Sequence, residues 1–189
     1  LELAPRDPAL QMVFGKLHAE QGGWTEAAAA FEEVLKSDSH SIDALFGAGQ
    51  ALLKLGEHTR ALPLLQRAAQ LNPGSAAAQA NLGTAYMRTG EHTAALRYYD
   101  AAIALQDDDP QVHFERGRCL WVLEEIDDAG DAFARSLALR PENIDTLYLL
   151  GRVRLAQKKN SGAAQALEKV ADALPTDADV RLALGEAYV

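Results

Sequence analysis

Apolar residues recur along this chain on two superposed spacings. Within stretches of about a dozen residues they fall three and four apart, the period of a helix with one buried stripe. Between stretches the whole pattern returns every 34 residues. Asn81 to Leu105, NLGTAYMRTGEHTAALRYYDAAIAL, shows one complete unit. It predicts two short helices joined by a tight turn at Thr89-Gly90, with Leu82, Gly83 and Tyr86 on one face of the first helix. Ala95, Tyr99 and Ala102 mark one face of the second. The same glycine stands at 15, 49, 83, 117, 151 and 185, and the same alanine at 27, 61, 95, 129 and 163. A period shared by the whole chain predicts a repeat array, in which each unit buries its apolar face only against its neighbours.

With the recurring glycine as the eighth position, the repeats cover 8–41, 42–75, 76–109, 110–143 and 144–177. Residues 178–189 make the first helix of a sixth, and residues 1–7 the tail of a preceding one, with Pro5 in the slot later held by Pro73, Pro141 and Pro175. Both ends thus fall inside repeats, as expected of a piece of a longer array. The residue before each unit is Asp7, Ser41, Ser75, Asp109, Asn143 or Asp177. Each has a side-chain oxygen able to accept an orphan N–H of the following helix. Pro8 and Pro110 follow at the first helical position, where a missing N–H costs nothing.

Positions 4, 7, 8 and 11 of each first helix share a stripe, such as Leu45, Ala48, Gly49 and Leu52, or Leu147, Leu150, Gly151 and Arg154. A glycine inside a helix costs about 1 kcal/mol relative to alanine, a cost offset when it lets a second helix approach. The alanine of position 20 is the expected contact, with the bulky position 24 (Phe31, Leu65, Tyr99, Phe133, Leu167) beside it. Three departures stand out. Position 15 is Gly22, Gly56 and Gly90 but then Glu124 and Lys158, so those two turns are expected to differ in conformation. Ser39 and Asp107 replace proline at position 32, which predicts looser junctions. Pro63 lies about one turn into a second helix, where it should kink the helix without breaking it.

Leu-Gly at positions 7–8, an aromatic at 11, Gly at 15, Ala at 20, an aromatic at 24, Ala at 27 and Pro at 32 together resemble the tetratricopeptide repeat. The resemblance covers essentially the whole chain. It implies an all-α fold, antiparallel helix pairs stacked into a right-handed α-solenoid (a superhelix), with a concave groove lined by the first helices.

Composition narrows the partners. The net charge of −9 argues against nucleic acid or an anionic membrane surface. No run approaches the roughly 18–20 apolar residues needed to span a bilayer, so direct membrane insertion by this segment is not expected. A single cysteine excludes an intrachain disulfide. Cys119 sits at position 10 among Leu17, Ala51, Ala85, Val153 and Ala187, an apolar column that predicts an inert packing residue. His58 and His92 share position 17 in near-identical segments and lack further ligands in sequence, so no metal site is assigned. The acidic runs Asp107-Asp108-Asp109 and Glu124, Glu125, Asp127, Asp128, Asp131 lie near helix starts, where the helix dipole favours negative charge, and read as solvated surface. No nucleophile–base grouping, phosphate loop or cofactor motif is present, so no enzyme, catalytic residue or cofactor is expected.

The candidate site is the unburied face of the first helices. Position 5 reads Met12, Phe46, Ala80, Phe114, Tyr148, Leu182; position 9 reads Lys16, Gln50, Thr84, Arg118, Arg152, Glu186; position 12 reads Ala19, Leu53, Met87, Trp121, Leu155, Val189. Aromatics mixed with arginine on a face the core does not need suit a binding surface. The lysine–asparagine clamp of the family's chaperone-tail readers is absent, and only Asn81 fits the asparagine ladder of the O-linked sugar transferase superhelix. The expectation is a non-enzymatic protein–protein interaction scaffold that captures a peptide in the groove. Phe46, Gln50, Asn81, Thr84, Met87, Phe114, Arg118, Trp121, Tyr148 and Arg152 are the contacting residues. The alternative is a structural spacer or oligomerisation segment of a larger assembly, such as a bacterial secretion or polysaccharide-export machine. In that case edges or the convex face make the contacts, and the open terminal repeats self-associate through Leu184 and Tyr188.

Overall fold

A computed structural model describes residues 7–189. Among them are eleven α-helices and no strand: α1 (Pro8–Glu20), α2 (Trp24–Ser37), α3 (Ile42–Lys54), α4 (His58–Leu71), α5 (Ala76–Thr89), α6 (His92–Leu105), α7 (Pro110–Val122), α8 (Ile126–Leu139), α9 (Ile144–Ala156), α10 (Asn160–Ala173) and α11 (Ala178–Ala187). The expected tail with Pro5 lies outside the described residues, Asp7 excepted. All six expected caps form. The side chains of Asp7, Ser41, Ser75, Asp109, Asn143 and Asp177 accept N–H groups of the second or third residue of α1, α3, α5, α7, α9 and α11. Each such cap is worth about 1 kcal/mol.

The chain forms two compact units that meet in sequence at Leu105 and Gln106. In the first, each of α1 to α6 packs on the next, and α3 also touches α1 and α5. Its core is dominated by small residues, among them Ala27, Ala44, Ala48, Ala61 and Ala78, with Phe31, Leu52, Leu65 and Leu82 between them. In the second unit α7 to α11 pack in sequence and α9 also meets α11. There Leu147, Ala163, Leu167, Val170, Val180 and Ala183 form the buried clusters.

The glycine contact differs from expectation. A Cβ on Gly15, Gly49, Gly83, Gly117 or Gly151 would lie 2.6 to 2.9 Å from the side chain of Phe31, Leu65, Tyr99, Phe133 or Leu167. The bulky residue of position 24 therefore occupies the place of the missing side chain, and the alanine of position 20, fully buried in every repeat, packs beside it. Phe31 is clasped from both sides, since a Cβ on Gly47 would also fall 2.6 Å from its ring. At Gly185 nothing lies within 4 Å of the corresponding point, and Leu182 and Tyr188 are each 65% exposed. Leu184 is half-buried against Ala163, Leu167 and Ala183.

The five turns inside the repeats share one conformation, which corrects the expectation for position 15. Glu124 has φ 62° and Lys158 φ 59°, in the same left-handed region as Gly22, Gly56 and Gly90. The reason is a common hydrogen bond. The N–H groups of Gly23, Glu57, Glu91, Glu125 and Lys159 donate to the carbonyls of His18, Leu52, Tyr86, Leu120 and Arg154 at 2.8 to 2.9 Å. This six-to-one bond closes the helix end only when the residue before the donor is left-handed. A side chain there costs about 1–2 kcal/mol. Lys158→Gly is therefore expected to raise stability by about 1 kcal/mol, read as a higher urea midpoint; an unchanged or lower midpoint would show that the lysine is not strained.

Helix α4 runs unbroken through Pro63. The proline ring faces solvent, as do Ala29, Arg97, Asp131 and Gln165 at the same repeat position. Only backbone terms are at stake there: the lost bond to the Thr59 carbonyl and the crowding of the ring against it. Pro63→Ala should therefore stabilise the first unit by about 2 kcal/mol, less than the ~3 kcal/mol of a helix centre because the site is near the N-terminus. A thermal melt that fails to rise would count against this.

The junction carrying Asp107 is held, not loose. The ring Nε2 of His113 lies 3.2 Å from the Asp107 carbonyl and 3.0 Å from its carboxylate, and Arg135 donates to the same two groups at 3.2 and 2.8 Å. An aspartate tied to α7 and α8 thus does at position 32 what proline does by ring closure elsewhere. Asp107, Asp108 and Asp109 are all exposed, in keeping with a solvated surface, and Asp109 caps α7 as its position before Pro110 leads one to expect.

Candidate functional site

Two first-helix faces carry the candidate residues, one in each unit. In the first unit α1, α3 and α5 lie side by side. Phe46 of α3 is half-buried, its inner edge packed on the alanine-rich core together with Met12, Ala19 and Leu53. The side-chain amides of Gln50 and Asn81 are half-buried and make no hydrogen bond among the described residues. They are available donors and acceptors for a passing backbone. Lys16 is paired with Asp43 of the next repeat at 3.1 Å. Thr84 is already engaged, because its hydroxyl donates to the Ala80 carbonyl at 3.1 Å and accepts from the Tyr99 hydroxyl at 3.3 Å. Met87 is half-buried with its sulfur 3.2 Å from Nδ1 of His92.

In the second unit the residues form two local pairs. On α7 the Arg118 guanidinium lies 5.8 Å above the Phe114 ring, which in turn leans on the core ring of Phe133 at 6.0 Å and 57°. Arg118 also donates to Glu115 at 2.9 Å, and Glu115 accepts a further bond from Gln111. Its charge is thus compensated within the helix. On α9 Arg152 donates to the Tyr148 hydroxyl at 3.2 Å. Arg152 is exposed and has no carboxylate partner among the described residues. Tyr148 is anchored below by two clusters of buried side chains. Trp121, half-buried, stands one turn beyond Arg118 on α7.

The partner of Arg118 was missed from sequence, although Glu115 lies three residues before it, a helical pairing distance. Also missed was the environment of Tyr86. Its ring stacks on Tyr98 at 5.3 Å and 3°, and its hydroxyl accepts from Gln66 at 2.6 Å. These three line a cleft of about 340 Å³ between α4, α5 and α6. The available signal was the tyrosine at position 23, where the other repeats have Ala30, Leu64, Ala132 and Ala166.

Other candidate chemistry resolves into packing. Cys119 is fully buried. Among the described residues no group of three His, Cys, Asp or Glu side chains could hold a metal ion. No described helix is long and apolar enough to cross a membrane. The hydroxyl of Tyr188 donates to Glu168 at 2.8 Å, which holds its pKa above the ordinary phenol value.

Capped helix pairs in a 34-residue period, closed by a glycine under a bulky residue, define a helical-repeat solenoid of the interaction-scaffold class. The chain belongs to the tetratricopeptide repeat family: one family model of that repeat matches residues 12–76 and 80–144, and a second matches 123–186. Such repeats generally serve as non-enzymatic scaffolds for protein–protein contacts. Among curated proteins, anaphase-promoting complex subunit 3 of Schizosaccharomyces pombe is 25% identical over 158 residues, 82% of this chain. The match spans 24% of that relative, about a quarter of its length. Among solved structures, MamA 41-end from Desulfovibrio magneticus RS-1 superposes with a TM-score of 0.80 at 20% identity, covering 93% of this chain and 98% of that one. YrrB, described as a TPR protein with an unusual peptide-binding site, gives 0.77 at 23% identity over 97% and 93%.

Proposed function

We propose that this chain is a non-enzymatic scaffold whose first-helix faces capture an extended or helical segment of a partner protein. Aromatic side chains supply buried area, and amides and arginine fix backbone or acidic groups. The observation that carries the reading is Arg152, an exposed cation with no carboxylate partner among the described residues, set beside an anchored tyrosine on an otherwise acidic protein. Aromatic residues and arginine dominate binding hot spots. The amides of Gln50 and Asn81, unbonded among the described residues, offer the matching polar contacts in the first unit. Phe46 and Phe114 are anchored from below, so they present apolar surface at little entropic cost. That YrrB, of the same fold, has a peptide-binding site supports the class of partner.

The test begins with peptides selected by phage display on the wild-type chain. Those that bind should carry apolar and acidic residues, and should lose affinity for Arg152→Ala. If every selected peptide binds that variant and Trp121→Ala as well as wild type, the reading fails. A second reading, a spacer or oligomerisation segment, is favoured by the exposed apolar residues Val13, Phe14 and Leu17 of α1 and Leu182 and Tyr188 of α11. It expects concentration-dependent association in sedimentation that Tyr188→Ser reduces.

A further inference from the structure

Arg154 is the anomaly of the fold. It occupies position 11 of the buried stripe, where the other repeats have His18, Leu52, Tyr86, Leu120 and Tyr188. It is half-buried, donates one N–H to the Gly162 carbonyl at 2.9 Å, and has no carboxylate partner among the described residues. A partly desolvated charge without a counter-charge is costly. The side chain lines a cleft of about 320 Å³ between α8, α9 and α10, to which Tyr148 and Arg152 do not contribute. Leu147 and Leu150 form the floor, Ala134 and Ala138 one wall, and Lys169 the rim. No carboxylate of the described residues lines it, although Asp and Glu outnumber Lys and Arg 27 to 18 in the chain. Lys169 likewise has no carboxylate partner among the described residues.

The cleft exists because of two small residues. Positions 25 and 29 are Glu32 and Lys36 in the first repeat, Gln66 and Gln70 in the second, and alanine at both only in the fourth. Between α2, α3 and α4 the equivalent space has Glu32 bound to Arg60 at 2.6 Å. Between α4, α5 and α6 it is the polar cleft of Gln66, Gln70, Gln79, Tyr86 and Tyr98. One repeat position is thus built three ways: bridged by an ion pair, lined by amides and phenols, or open with an apolar floor under two uncompensated cations.

We infer that the α8–α9–α10 cleft is a second docking site, one that takes a leucine or phenylalanine side chain of a partner segment flanked by aspartate or glutamate. The apolar floor buries the side chain, and the flanking carboxylates reach Arg154 and Lys169. Charge complementarity selects this occupant, since an uncharged apolar segment would leave the half-buried guanidinium uncompensated and a basic one would add repulsion.

The test uses fluorescence anisotropy on the whole chain with two labelled peptides, GSGDLFEGSG and GSGKLFKGSG. The acidic peptide should bind at least tenfold more tightly than the basic one. Lys169→Glu should weaken it about tenfold, and Ala138→Trp, which fills the cleft from an exposed helix position, should abolish binding while the circular dichroism melt is retained. Arg97→Ala, which removes an exposed cation of α6 in the first unit, should leave it unchanged. The proposal is overturned if the acidic peptide fails to bind at millimolar concentration or binds Ala138→Trp as well as wild type. Loss with Arg152→Ala alone would place the peptide on the first-helix face instead. Self-association removed by Ala138→Trp, with no peptide binding, would make the occupant a second copy of the chain and overturn it equally.

Discussion

Gly117→Ala is expected to destabilise the second unit by about 2 kcal/mol, although alanine is the better helix former by about 1 kcal/mol. The added methyl would sit 2.7 Å from the Phe133 ring, which is fully buried, so ring or helix must shift to admit it. Phe133→Ala alone should cost about 3–5 kcal/mol, the usual range for emptying a buried aromatic site. The two changes together should cost less than their sum. With the ring gone, the methyl of Gly117→Ala meets no clash, fills part of the cavity and recovers the helix propensity, so in that background it should be neutral or stabilising by about 1 kcal/mol. Urea unfolding of the four proteins measures the cycle. Strict additivity would mean that something other than the ring confronts residue 117.

The largest effects on binding are expected at Trp121 and Arg152. For a partner peptide obtained by selection on the wild-type chain, Trp121→Ala and Arg152→Ala should each weaken binding by about 30-fold, since truncating a central hot spot costs ~2 kcal/mol or more. The folding consequences differ between them. Arg152 is exposed and gives up one hydrogen bond to Tyr148, so its variant should melt within a degree or two of wild type. Trp121 is half-buried, and some loss of stability accompanies its removal. Arg97→Ala is the control: Arg97 is an exposed second-helix residue lying on Tyr98 at 5.7 Å, and binding should not respond to it. Arg118→Ala should weaken binding less than Arg152→Ala, because Glu115 already compensates its charge. If both first-helix variants are silent while Tyr188→Ser disrupts association, the spacer reading takes over.

Periodicity made the helices, their caps and the buried stripe legible, because each rests on residue type at a fixed local spacing. Ser75 can be seen to cap α5 from the sequence alone, since an N-cap needs only an oxygen three residues from an orphan N–H. Glu124 and Lys158 misled because a local rule, glycine for positive φ, was overruled by a hydrogen bond that the whole helix end requires. The partner of the recurring glycine was also hidden. Positions 20 and 24 lie on one face of the second helix, and only the packed helix pair shows which of them covers the glycine. On the candidate site, sequence gave the face but not the state of its groups. Thr84 and Arg118 resemble Gln50 and Arg152 in type and position, yet the first two already have partners and the last two differ in what they leave exposed.

The glycine-to-position-24 contact joins residues sixteen apart in the chain in all five repeats, from Gly15 and Phe31 to Gly151 and Leu167. Every such closure needs only a short loop to form, so little chain entropy is lost before the first favourable contact is made. Chains dominated by contacts of small sequence separation fold in microseconds to milliseconds, far faster than sheet proteins of similar stability. Refolding should therefore start at whichever helix pair closes first, and a substitution such as Phe133→Ala that opens one closure should slow nucleation there while leaving the others able to begin.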